Sequence, residues 1–112
     1  MVKKRELQKL ISEIVAKIVS SYNPSKIILF GSYAYGKPDE DSDIDMFIIK
    51  DTEERPIDRW VSVCQIVSDR TRRIPFEPLI ITPKELESRI RIGDQFIIDE
   101  ILTKGEVLYE KR

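Results

Sequence analysis

The run Lys26–Phe30, "KIILF", sets four apolar side chains in succession between Pro24 and Gly31. A half-exposed strand would alternate polar and apolar positions, so an unbroken run of this kind needs cover on both faces. That requirement calls for helices on either side of a sheet, and the flanking sequence supplies them. Leu7, Leu10, Ile11, Ile14, Val15, Ile18, Val19 and Tyr22 recur at helical spacing and predict an amphipathic helix from the chain start to near Asn23-Pro24.

A loop from Gly31 to Ser42 then leads to a second predicted strand, Ile44–Lys50. Ile57, Trp60, Val61, Cys64 and Val67 mark a helix between Pro56 and Arg73 that ends in the basic cluster "DRTRR", with Trp60 and Cys64 on its core stripe. "FEPLII", Phe76–Ile81, reads as a third strand. Pro78 within it cannot donate a ladder hydrogen bond, so this strand belongs at an edge or a bulge. Thr82, Pro83 and Glu85 form an N-cap, a first helical position and a capping-box partner for a short helix to Arg91. Gly93-Asp94 opens a further helix carrying Ile97, Ile98, Ile101 and Leu102, which stops at Gly105, and "EVLY" is a last short strand. The order predicts an α/β (α+β) fold, a small mixed sheet flanked by helices, in a single domain over residues 1–112.

The bulk numbers exclude several functions. With 19 basic and 20 acidic side chains the net charge is -1, which gives no general attraction to nucleic acid or an anionic membrane. Arg70, Arg72, Arg73, Arg89 and Arg91 read as solvated or helix-end cations, so direct nucleic-acid binding is not expected. The opening "MVKKRELQKL" has no apolar run after its basic residues and no segment approaches a membrane span, so a cytoplasmic protein without membrane contact is expected. Cys64 stands alone and there is no histidine, so a metal here would be held by carboxylates, which favours magnesium or manganese.

The chemistry concentrates in "GSYAYGKPDEDSDID", Gly31 to Asp45. Its G-x-x-x-x-G-K spacing imitates a P-loop, but Pro38 stands where a hydroxyl and an amide must be, and Asp39, Glu40 and Asp41 would repel phosphate. Asp43 and Asp45 are two apart and face one way from an extended chain, roughly 6–7 Å apart at their alpha carbons, close enough to clamp divalent cations. Two anions forced together without a cation raise one another's pKa, so the pair implies a metal or a proton. Gly31 can let phosphate approach the backbone, and the Ser32 hydroxyl can bond to it. Glu77, one residue into the third strand, completes a triad if that strand lies beside the second. Tyr33 and Tyr35 read equally well as packing residues or as covers for a nucleotide.

The Gly-Ser, ten-residue gap and Asp-x-Asp pattern resembles the motif of the minimal nucleotidyltransferases in the DNA polymerase β-like superfamily, and the order of elements agrees over nearly the whole chain. The resemblance implies that Gly31 and Ser32 hold nucleotide phosphates, that Asp43 and Asp45 bind magnesium, two ions in all, and that Glu77 is the third ligand and activates the acceptor hydroxyl. Many members have Asp where this chain has Glu77. It further implies ATP as substrate and a HEPN-type helical toxin as partner, with AMP transferred to a tyrosine of that partner. The competing expectation is a non-catalytic nucleotide-binding module that neutralises a partner by covering it. If Gly31 is glycine so that phosphate can come close to the backbone, Gly31→Val should weaken ATP binding and leave the fold intact.

Overall fold

The protein is described from a computed structural model over residues 4–112; the first three residues of the predicted opening helix lie outside the described residues. The elements are α1 (Lys4–Tyr22), β1 (Lys26–Phe30), α2 (Ser32–Tyr35), β2 (Ile44–Ile49), α3 (Pro56–Ile66), β3 (Phe76–Ile81), α4 (Pro83–Arg91), α5 (Phe96–Thr103) and β4 (Glu106–Glu110). The four strands form one sheet in the order β3-β2-β1-β4. β1 runs antiparallel to β2 and β4, whereas β2 and β3 are parallel, so the sheet is mixed as the sequence predicts.

Ile27, Ile28 and Leu29 are all buried, because β1 has a core on each side. On one face Ile27, Leu29, Met46, Ile48 and Ile80 pack with Ile14 and Ile18 of α1 and Val63 of α3. On the other, Ile28, Phe47, Ile49 and Ile81 pack with Ile97 and Ile101 of α5. This second core is the smaller. It leaves the Asp45 end of its face beyond the buried cluster.

Pro78 lies on the edge strand, and its place there has a hydrogen-bonding reason. The carbonyls of Pro75 and Ile81 accept from Ile44 and Lys50, so the odd residues of β3 turn their backbone toward β2 and the even ones turn outward. Pro78 therefore withholds a donor where an added strand would seek one, and the outward Ile80 carbonyl already accepts from Arg59.

Two expectations for the second predicted helix need correction. α3 ends at Ile66, before the basic cluster, and Arg72 holds the following turn by donating to the carbonyls of Val67 and Ile74. Trp60 is 41 % exposed and Cys64 is half-buried, so neither belongs to the core. The stripe that faces the sheet runs through Arg59, Val63 and Val67, and a charged residue at its first position disguises it. Arg59 is 5 % exposed and is neutralised in place: its guanidinium donates to the Glu54 carbonyl at 2.8 Å and to Glu85 Oε1 at 2.7 Å. Glu85 also completes the capping box with Thr82, accepting from the Thr82 amide.

Glu85→Ala removes both roles and leaves a buried guanidinium short of its counter-ion. A loss of about 2–3 kcal/mol is expected, below the 3–5 of a fully buried pair because Glu85 is itself half exposed. Urea unfolding with an unchanged slope checks this. Arg59 and the Thr82 amide hold the Glu85 carboxyl below its usual range, so this contribution is present above the ordinary glutamate value and is lost as pH falls through the depressed one.

Candidate active site

The acidic run splits into two parts with different work. Asp39 Oδ1 accepts from the Asp41 amide at 2.8 Å and from the Ser42 hydroxyl, which makes "DEDS" a side-chain-closed turn in solvent. Asp43 comes immediately before β2, and Asp45 lies in β2 itself. Asp45 is opposite Phe30 of β1 on one side and Glu77 of β3 on the other. Phe30, Asp45 and Glu77 thus make one row across three strands, on the face that α5 covers only further along.

Burial is the largest cause that pushes the Asp45 carboxyl above its usual range, and the charges of Asp43 and Glu77 push it the same way. The three acids are near enough to repel, and among the described residues none of them forms an ion pair with Lys or Arg. Among the described residues, no three acidic or cysteine side chains are gathered closely enough to hold one metal ion together. Asp45 and Glu77 stand side by side on neighbouring strands, and Asp43 precedes Asp45 by two residues. Hard oxygen donors, an uncompensated negative field and no competing basic partner fit a magnesium or manganese ion.

Gly31 has φ 77° and ψ -162°, a region essentially reserved for glycine. A Cβ there would run into Asp45 Oδ2, so the carboxylate rests against the bare backbone of the turn. This corrects the expectation that Gly31→Val leaves the fold intact: the substitution meets both the backbone conformation and the acid. After Gly31 comes α2, a single helical turn that the sequence reading leaves as loop. Ala34 and Tyr35 donate to the Gly31 carbonyl, and Gly36, at φ 77°, closes the turn with Lys37 donating to Ser32. The P-loop-like spacing is therefore two glycines bracketing one turn. Ser32 opens that turn beside Gly31.

Tyr33 packs against the first core, and the Tyr35 hydroxyl donates to the Glu100 carbonyl at 2.6 Å and to its carboxylate at 2.9 Å. Tyr35 so ties α2 to α5. Two residues next to the site escaped the sequence reading. Arg59 fixes α3 against β3, and Trp60 donates from its indole nitrogen to Glu77 Oε1 at 3.3 Å. The only signal for Trp60 was its spacing, which points equally well to core.

The repulsion sets a pH and metal response. A carboxyl whose folded pKa is raised favours the folded state while protonated, and that contribution is lost as pH rises through the folded value. In EDTA at neutral pH, Asp45→Asn is expected to raise the melting temperature. Magnesium should raise that of the wild type and leave Asp43→Asn/Asp45→Asn unmoved. Differential scanning fluorimetry with and without magnesium checks both; equal magnesium responses would contradict the site.

Residues 13–112 match the family profile described as polymerase beta, nucleotidyltransferase. A protein of Methanocaldococcus jannaschii, named as a candidate protein adenylyltransferase, is 31% identical over 110 residues, covering 94% of this chain and 73% of its own. Among solved structures, a candidate nucleotidyltransferase from Sulfolobus solfataricus superposes with TM-score 0.63 at 20% identity, over 92% of this chain and 79% of that one. A chain of the toxin-antitoxin complex MntA-HpeT superposes with TM-score 0.51 at 21% identity, over 100% of this chain and 76% of its own. Both superpositions share the fold, a mixed sheet flanked by helices. The profile takes in β1, the Gly-Ser turn, β2 with its acids and β3 with Glu77. This chain belongs to the polymerase β nucleotidyltransferase family, as an enzyme of the minimal nucleotidyltransferase kind.

Proposed function

We propose that the chain is a metal-dependent adenylyltransferase that moves AMP from ATP to a tyrosine hydroxyl of a HEPN-type toxin partner and acts as its antitoxin. The observation that carries the reading is the carboxylate row: Asp45 rests on the bare backbone of the Gly-Ser turn and stands beside Glu77 on the neighbouring strand. The name of the Methanocaldococcus jannaschii relative and the fold shared with a toxin-antitoxin chain support it.

In this reading Gly31 and Ser32 hold the triphosphate, Gly31 because it has no side chain to keep an oxygen away. Asp43, Asp45 and Glu77 would hold magnesium, which when bound screens the phosphates and makes a coordinated hydroxyl more acidic. The acceptor oxygen attacks the alpha phosphorus, a P–O bond forms there, and the bond to the beta phosphate breaks. Pyrophosphate leaves. Glu77 accepts the hydroxyl proton, and its exposed place on the edge strand lets a protein acceptor reach it.

Labelled ATP tests the bond that breaks. With the label on the alpha phosphate the partner should become radioactive, and with the label on the gamma phosphate the partner should stay unlabelled while the counts leave with pyrophosphate. A partner labelled only from the gamma position would make the protein a kinase and overturn the reading.

A further inference from the structure

Trp60 is large, aromatic and 41 % exposed, although the preceding residue, Arg59, is almost fully buried. Its position is nonetheless fixed. The Arg59 guanidinium binds the Ile80 carbonyl of β3 and the Glu85 carboxylate, which clamps α3 to the edge of the sheet one residue before Trp60. From there the indole reaches round the edge strand, and its N–H donates to Glu77 Oε1 at 3.3 Å. Glu77 needs such a partner more than the other acids do. Asp43 and Asp45 have short side chains, and Asp45 is partly buried against Gly31, whereas Glu77 has one more rotatable bond and stands exposed on an edge strand.

We infer that Trp60 is the positioning residue of the third carboxylate: its indole N–H holds one oxygen of Glu77 so that the carboxylate faces Asp45 and is preorganised for a divalent cation. An N–H on the outer oxygen of a ligating carboxylate fixes its orientation without competing for the metal, since indole donates and cannot ligate. Cys64, one helical turn along α3, has its thiol pushed up by burial first and by the Glu77 charge second, so this side of α3 also feels the acid. The inference rests on the metal-dependent reading of the site but not on the identity of the acceptor.

Trp60 is the chain's single tryptophan, so its emission reports this place alone. Manganese serves as the probe, its free form counted by electron paramagnetic resonance while Trp60 emission is read in the same titration. In the wild type, emission should be quenched saturably, with the midpoint at which manganese binds. Trp60→Phe keeps an aromatic ring, loses the N–H, and should bind manganese about tenfold more weakly, at the low end for an outer-sphere partner because the bond is exposed. Its melting temperature should stay near that of the wild type.

Glu77→Gln should lose both the quenching and the affinity, and adding Trp60→Phe to it should cause no further loss, because the two act through one carboxylate. Wild-type affinity in Trp60→Phe, additive losses in the double variant, or an emission unmoved while manganese binds would each overturn the inference. A wild type that binds no manganese would overturn it together with the metal site. Manganese binding and quenching as described, in a protein that transfers no AMP, would uphold the role of Trp60 and sink the adenylyltransferase reading alone.

Discussion

Asp45→Ala is expected to lower AMP transfer on the order of 10³-fold or more while the protein folds and still binds its partner. The size follows from position. Asp45 stands in the middle of the row, between the Gly-Ser turn on one side and Glu77 on the other. Folding should not suffer, because the burial and like charges that push its carboxyl up make Asp45 a liability to the metal-free fold. A single-turnover assay with saturating ATP separates lost chemistry from weakened nucleotide binding. Transfer within tenfold of the wild type would remove Asp45 from the reaction.

Gly31→Ala is expected to destabilise the protein by about 2–4 kcal/mol and to abolish its magnesium response. Two independent causes add here. The backbone is held at φ 77°, ψ -162°, where an L side chain is strained, and the new Cβ would occupy the space of the Asp45 carboxylate. They can be separated. Combined with Asp45→Gly, the steric part disappears and only the backbone part remains, so the double variant should lose less than the sum of the two single changes. Denaturant unfolding of the four proteins checks this. A Gly31→Ala protein as stable as the wild type, with its magnesium response intact, would return the residue to an ordinary turn.

Much of this was legible in the chain because it depends on local chemistry. "KIILF" needs cover on both faces, and β1 has a core on each. Thr82, Pro83 and Glu85 specify a capped helix start in four residues, and the box is formed. Pro78 needs an edge or a bulge, and β3 lies at the edge. The parallel pairing of β2 with β3 is what brings Glu77 beside Asp45, and a strand order is not written in any one segment.

The misreadings share one cause. Arg59 looks like a surface residue, and only the carbonyls of Glu54 and Ile80 and the carboxylate of Glu85, from three separate places in the chain, make its burial tolerable. Once Arg59 faces the sheet, Trp60 must face out. α5 is another case: its 8 residues wind with the wider π-helical spacing, Lys104 donating to Asp99, while its apolar spacing suits an α-helix. Ile97 and Ile101 are buried either way, so the sequence pattern does not distinguish the two windings.

The central claim is that the carboxylate row works as an adenylyltransferase. The most direct measurement is the intact mass of the proposed HEPN-type partner after incubation with ATP, magnesium and this protein, beside the same incubation with Asp45→Ala. The account predicts a partner heavier by AMP, silenced with the wild type and unmodified with the variant. A partner that is unmodified by both proteins and silenced by both would contradict it, and would leave the fold acting as a cover.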